Sequence, residues 1–281
     1  MIEPASGDPA RPSARDPAAT SGRAPLLALE HVSKRFGGLR AVNDVSFTVS
    51  EGEVLFIVGP NGAGKTTMFN LITGFLPPDS GEIRFAGRSL AGVKPHMAAR
   101  LGIGRTFQIV KPLRSLTVLE NVMLGAFLHT HQVSEAAERA REVLAFLQME
   151  PVSGLPAHGL PLATLKRLEI ARALATRPKL ILLDEVVAGL PTAEALALAA
   201  LLQRLPEWGV SAVAGVEHVM QVVMKIAQRV VVLDHGALIA EGKPADVVRR
   251  REVIEAYLGA KYKEQLGADA PTADADKAGP A

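Results

Sequence analysis

Gly59-Pro60-Asn61-Gly62-Ala63-Gly64-Lys65-Thr66-Thr67 fits the pattern G-x-x-x-x-G-K-[ST] through Gly59, Gly64, Lys65 and Thr66. The apolar run Val54–Val58 precedes it and reads as a short buried strand. Lys65–Ile72 follows with helical spacing. Glycines let the intervening loop wrap and bring backbone N–H groups close to phosphate. The helix that starts near Lys65 adds the positive end of its dipole. In such a loop Lys65 reaches the β- and γ-phosphates, and the Thr66 hydroxyl ligates Mg²⁺.

A second stretch supports the first. Leu180-Ile-Leu-Leu-Asp-Glu185 is an apolar strand ending in two carboxylates. Asp184, at the strand's C-terminal end, is the expected Mg²⁺ partner. Glu185, one residue on, can orient and polarise an attacking water. Phosphoryl transfer is mostly positioning plus charge stabilisation, and these are the two jobs that hydrolysis needs.

Outward from these stretches the chain alternates. Residues 26–32 and 42–49 have the period of half-buried strands, and 81–85 reads as a strand after the turn Pro77-Pro-Asp-Ser-Gly81. From about 94 to 177 strand character is lost, and 117–128, 134–148 and 165–175 carry apolar positions at helical spacing. Strands return at 180–183, 210–216 and 230–233, separated by helical stretches at 192–205 and 218–227. This pattern predicts an α/β fold with a mostly parallel sheet covered by helices and a helical subdomain inserted at about 95–170. Residues 1–25 and 263–281 are rich in Pro, Ala and Asp without periodicity and read as disordered tails around a domain at 26–262.

Composition bounds the function. Of 281 residues, 48% are apolar and 21% charged, enough to form a core, and the low aromatic content of 4% makes that core mainly aliphatic. A net charge of +2 is no footprint for nucleic acid. The absence of cysteine excludes disulfides, thiol catalysis and cysteine metal sites. No apolar run approaches the roughly 20 residues of a spanning helix, and the N-terminus lacks the basic and apolar regions of a secretory signal. Any membrane role therefore runs through a partner or surface contact. Arg249-Arg250-Arg251 reads as a solvated helix face.

With the phosphate loop and the Asp184-Glu185 strand in place, the chain resembles the ATP-binding subunit of an ABC transporter over about residues 26–260. The resemblance implies a P-loop NTPase core with a mostly parallel sheet, an N-terminal antiparallel β part and an inserted helical subdomain, with ATP and Mg²⁺ as ligands and ATP hydrolysis as the activity. Arg105-Thr-Phe-Gln108 resembles the family's Q-loop, which implies a role for Gln108 beside Mg²⁺ or water and towards the membrane partner. Glu217-His218 resembles the switch-histidine segment, which implies a contact of His218 with the γ-phosphate. Phe36 stands where the family stacks an aromatic on adenine, although the residue alone could equally be core. Phe36-Gly-Gly-Leu-Arg-Ala-Val-Asn-Asp-Val, Leu101-Gly-Ile-Gly-Arg-Thr-Phe-Gln, Leu168-Glu-Ile-Ala-Arg-Ala-Leu-Ala and the ending Val253-Ile-Glu-Ala-Tyr-Leu-Gly259 resemble the ATPases of branched-chain amino acid importers, with urea importers as close alternatives. The implied partners are a second ABC ATPase, two membrane permeases and, indirectly, a periplasmic or extracellular solute-binding protein. The implied location is the cytoplasmic face of the inner membrane, held peripherally.

The pattern breaks at the signature. Where the family has LSGGQ, this chain reads Leu160-Pro161-Leu162-Ala163-Thr164, followed by Leu165. Pro161 stands at the Ser position and offers neither hydroxyl nor N–H. Ala163 stands at the second Gly, which lets backbone approach the γ-phosphate, and Leu165 stands at the Gln of the variant L-x-Y-G-x-Q that the importer group tolerates. Val186 takes the Pro position after Glu185, Pro191 takes the Asp or Asn position of the D-loop, and Val219 follows His218 where an Asp is common. The resemblance thus implies an intact ATP side and an altered donated side. That favours a heterodimer with a second ATPase over a homodimer.

Overall fold

A computed structural model describes residues 25–107, 112–216 and 220–258. In chain order its strands are β1 (Leu27–Phe36), β2 (Leu39–Val49), β3 (Val54–Val58), β4 (Ser80–Phe85), β5 (Arg88–Ser89), β6 (Ile103–Arg105), β7 (Leu180–Asp184), β8 (Ser211–Val216), β9 (Arg229–Asp234) and β10 (Ala237–Gly242). The helices are α1 (Lys65–Ile72), α2 (Pro95–Leu101), α3 (Val118–Ala126), α4 (Val133–Phe146), α5 (Leu162–Ala175), α6 (Thr192–Gln203), α7 (Met220–Ile226), α8 (Pro244–Val247) and α9 (Arg251–Leu258). The two expected tails lie almost wholly outside the described residues.

The strands form two sheets. β2-β1-β4-β5 is antiparallel throughout. The second sheet has the order β10-β9-β3-β8-β7-β6, with β9, β3, β8, β7 and β6 parallel and β10 antiparallel to β9. The expected α/β class, the antiparallel N-terminal part and the mostly parallel core are all present. One correction falls inside the stretch read as strand-free: β6 occupies residues 103–105 and extends the parallel sheet beside β7. Three residues with a central glycine are too short to show alternation. Gly104 lets β6 pass close to the Pro178 ring, from which a Cβ would stand 3.1 Å.

The parallel sheet is buried on both faces. Along β3, Leu55 and Ile57 face one core together with Phe47, Phe69 and Val231. Val54, Phe56 and Val58 face the other, with Leu168, Ile170 and Leu198. β7 divides the same way, Leu180 and Leu182 against Ile181 and Leu183. This double burial is why both strands read as continuous apolar runs rather than as alternation.

Helices α3, α4 and α5 pack on one another beyond β6. α3 starts at a capping box: Thr117 Oγ1 accepts the Glu120 amide at 3.2 Å, and Glu120 Oε2 accepts the Thr117 amide at 2.8 Å. Gly125 is where α3 meets α5, since a Cβ would lie 2.3 Å from the Arg172 carbonyl. The arginine run is exposed throughout, as expected, but only Arg251 is helical, at the start of α9. Arg250 donates to the Glu241 carbonyl at 3.1 Å, and Arg251 pairs with Glu255 at 2.8 Å.

Candidate active site

The phosphate loop joins the end of β3 to the start of α1 and is pressed from two sides. A Cβ on Gly59 would lie 2.1 Å from the Leu233 carbonyl of β9. Gly64 sits at φ +104°, and its Cβ would lie 2.3 Å from the Ala41 carbonyl of β2. Three backbone bonds lock the wrap: Ala63 to Pro60 O at 3.1 Å, Gly236 to Ala63 O at 3.1 Å, and Asn43 to Gly236 O at 2.8 Å. The first bond of the α1 ladder is donated by Met68 to Gly64 O at 2.9 Å. The Thr66 and Thr67 amides ahead of it are therefore not used by the ladder. No acidic residue stands in the first turn to neutralise the dipole. Asn61, Gly62 and Thr66 are exposed, Ala63 is buried, and Lys65 is buried with its Nζ donating to the carbonyls of Gly59 at 2.7 Å and Pro60 at 3.0 Å.

A Gly64→Ala substitution meets both the Ala41 carbonyl and the left-handed backbone. The conformation alone costs about 1–3 kcal/mol. We expect a fall in urea-unfolding stability of at least that size together with loss of ATP affinity. Unchanged affinity would mean that the loop is not the phosphate cradle.

The carboxylates stand at the same edge of the sheet. β8 lies between β3 and β7, with Val58 opposite Val216 and Asp184 opposite Gly215. Two strand spacings, about 10 Å, therefore separate the start of the phosphate loop from Asp184. Both strands are parallel, so both present their C-terminal ends there, where open α/β sheets bind ligands. Asp184 is buried, and its amide donates to Thr106 Oγ1 at 3.0 Å. Arg105 Nη2 approaches Asp184 Oδ2 at 3.4 Å. Burial pushes the Arg105 guanidinium down from its usual value, and Asp184 opposes that shift. Glu185 is half-buried at φ +49°, a left-handed backbone that a non-glycine residue holds only when its surroundings enforce it. Val186 and Val187 after it are buried in the helical core and anchor the turn.

Phe36 is 46% exposed, so it is not a core residue. It pairs with Leu39 at the hairpin tip, two residues from the Ala41 carbonyl that touches the phosphate loop. Lys34 Nζ lies 5.9 Å from its ring. Gln108, Glu217, His218 and Val219 lie outside the described residues. His218 follows β8 by two residues, and β8 runs between the two site strands.

Both proline departures stand at helix N-caps. Pro161 (φ −57°) precedes α5 and Pro191 (φ −55°) precedes α6, neither with a side-chain cap. Their carbonyls accept the first helical bonds, from Leu165 at 3.0 Å and Ala195 at 2.9 Å. At an N-cap the missing N–H matters little; what Pro161 removes is the hydroxyl a Ser would aim at the helix end. Pro161 and Leu162 are exposed, and Ala163 is half-buried. The Leu162 side chain lies 3.4 Å from where a Gly189 Cβ would be, so the signature start and the D-loop turn touch within one chain.

Three buried ions carry no role in the sequence reading. Arg105 bonds Asn70 of α1 at 2.7 Å and Thr73 at the α1 C-cap at 3.2 Å, besides Asp184, and lies 5.3 Å from the Phe107 ring. Lys166 and Glu169 point from α5 towards the site. Lys166 and Glu169 stand three apart on α5, but Arg167 and Arg172 on the same helix keep that spacing from singling them out.

Comparison with known proteins follows the same lines. The family model described as ABC transporter matches residues 42–188. A model described as branched-chain amino acid ATP-binding cassette transporter matches residues 237–263. The probable branched-chain amino acid transport ATP-binding protein LivG of Archaeoglobus fulgidus is 37% identical over 251 residues, covering 85% of this chain and 97% of that protein. The high-affinity branched-chain amino acid transport ATP-binding protein BraF of Pseudomonas aeruginosa is 38% identical over 250 residues, covering 84% and 98%. Among solved structures, an ATP-binding cassette of an ABC transporter in its ADP conformation superposes with a TM-score of 0.77 at 31% identity, covering 84% of this chain and all of that one. A nucleotide-free cassette superposes at 0.76 with 32% identity.

Proposed function

The chain belongs to the ABC transporter family as one of its ATP-binding, ATP-hydrolysing subunits, and from that premise we propose that it powers import of branched-chain amino acids or a related small amino acid or amide. The observation that carries the active-site reading is the register of β3, β8 and β7, which brings the phosphate loop and Asp184-Glu185 to one edge of the sheet. The relatives' names and the match at 237–263 support the solute.

In this reading the loop amides and the α1 N-terminus bind the triphosphate, and Pro60, Asn61, Gly62, Ala63 and Thr67 shape the wall around it. Lys65 turns from the carbonyls of Gly59 and Pro60 to the β- and γ-phosphates. Phe36 offers an open ring for adenine. The Thr66 hydroxyl and the Asp184 carboxylate are hard oxygen donors of the small set that Mg²⁺ accepts alongside phosphate oxygens and water. Mg²⁺ held there would neutralise charge on the phosphate oxygens. Glu185 orients the attacking water and takes its proton. By resemblance, Gln108 also serves as a ligand and sensor of Mg²⁺ or water, and His218 contacts the γ-phosphate.

Among the described residues no helix is long and apolar enough to cross a membrane. We place the chain peripherally at the cytoplasmic face of the inner membrane, against two permeases served by a solute-binding protein. A specific observation favours a second ATPase as partner. α5 starts uncapped and exposed at Pro161, with Ala163 in place of glycine, so the face it donates to a partner's ATP lacks the hydroxyl and the close backbone. A heterodimer keeps one good site, built from this Lys65 and Glu185 with the partner's signature. The related reading, a nucleotide-binding partner with low intrinsic turnover, differs only in how weak the other site is.

Reconstitution with the permeases, the second ATPase and the binding protein tests the solute. Labelled leucine, isoleucine and valine are expected to accumulate with ATP and to stop accumulating in a Lys65→Ala complex. Uptake of urea in their place would overturn the solute reading.

A further inference from the structure

The helix that carries the altered signature also reaches this chain's own hydrolytic segment. Lys166 and Glu169, one turn apart on α5, are only 5% and 7% exposed. Buried charges persist where other groups hold them. Lys166 Nζ donates to the Glu185 carbonyl at 3.1 Å. Glu169 Oε1 accepts the Phe107 amide at 2.5 Å. Burial pushes the Glu169 carboxyl up, while the Phe107 amide and the Lys166 charge pull it back down. Phe107 follows Thr106, whose hydroxyl receives the Asp184 amide. One face of α5 is thus fastened to both segments that end beside the nucleotide, 105–107 and 184–185.

The start of the same helix is exposed at Pro161 and Leu162. Lys166 is four residues beyond Leu162, about 6 Å of helical rise. A displacement of the α5 start therefore reaches the Glu185 carbonyl through a single turn of helix. Glu185 holds a left-handed backbone that its neighbours must enforce, so its position responds to those neighbours.

We propose that Lys166 and Glu169 are positioning residues that make α5 a rigid link between the signature end offered to a partner's nucleotide and the carboxylates acting on this chain's own. The inference rests on the reading that Asp184 and Glu185 serve this chain's ATP. Through the link, the two nucleotide sites of a dimer are set together rather than independently. Lys166 fixes the backbone from which the Glu185 carboxylate projects, and Glu169 fixes the approach to Thr106 and Asp184.

Amide exchange on the full chain tests it. Without nucleotide, Glu169→Ala is expected to speed exchange at Phe107, and Glu169→Gln, which keeps the acceptor oxygen, to leave it slow. With ATP and Mg²⁺, the wild-type chain is expected to slow exchange over 184–190 and over 162–167. In the Lys166→Met, Glu169→Ala double variant, ATP affinity and the response over 184–190 remain, while the response over 162–167 is lost. In the assembled ATPase, Lys166→Met lowers kcat about tenfold with KM unchanged, the scale of other outer-shell supports. Lys166→Arg restores it, which a merely destabilised chain would not show. A response over 162–167 that persists in the double variant overturns the link. A wild-type chain that binds no ATP overturns the nucleotide-site reading instead, while the nucleotide-free comparison at Phe107 still decides the tie.

Discussion

Glu185→Gln is expected to abolish phosphate release while leaving ATP bound. Glutamine matches the carboxylate in shape, so the turn held by Val186, Val187 and Lys166 keeps its geometry. It cannot take a proton from the attacking water. General-base catalysis supplies about 10²–10⁴-fold in rate, and a loss of that order is the prediction. In the proposed site, affinity for ATP rests on the loop amides, Lys65 and the α1 dipole, none of which this substitution changes. A fluorescent ATP analogue measures the binding, and single-turnover phosphate release in the assembled ATPase measures the chemistry. Retained turnover would mean that another group activates the water.

The second large effect runs the other way. Pro161→Ser with Ala163→Gly and Leu165→Gln is expected to raise turnover of the chain on its own. Serine at the α5 N-cap restores an oxygen at the helix end, and glycine at 163 restores close approach of the backbone. Each well-placed donor to a transition-state oxyanion accounts for roughly 10²–10³ in rate. Pro161 is exposed and Ala163 and Leu165 are only half-buried, so the three changes leave the buried face of α5 from Lys166 onward in place. Rates are compared at saturating ATP across protein concentrations, because the gain requires two copies to meet. An unchanged rate would show that the present signature is already competent.

Most of this site was legible because it rests on local rules. Gly59 and Gly64 are glycines for steric reasons that a pattern captures, and the structure shows the carbonyls of Leu233 and Ala41 that impose them. β3 and β7 were visible as apolar runs because the sheet buries both faces of each. What stayed hidden depends on distant partners. β6 is three residues long and exists because β7 offers it an edge. Arg105 was legible only as a neighbour of Gln108, yet it bridges α1, β7 and Phe107. α5 is buried nearly all round, so its periodicity is faint, and nothing in spacing alone shows that Lys166 ends at Glu185. The prolines illustrate a half-legible feature. The sequence marks Pro161 and Pro191 as departures, but only the helix boundaries show that both sit at N-caps, where the ring is tolerated and the side-chain cap is what is missing.

We propose a chain with an intact ATP side and a weak donated side. Phosphate release from ATP by the purified chain, alone and with the proposed second ATPase, tests that directly, with Glu185→Gln as the background. The account predicts that the chain alone binds ATP but releases phosphate near background, and that the pair turns over in a Glu185-dependent manner. Full-rate turnover by the chain alone, abolished by Glu185→Gln, would contradict it and make Leu160-Pro161-Leu162-Ala163-Thr164 a working signature.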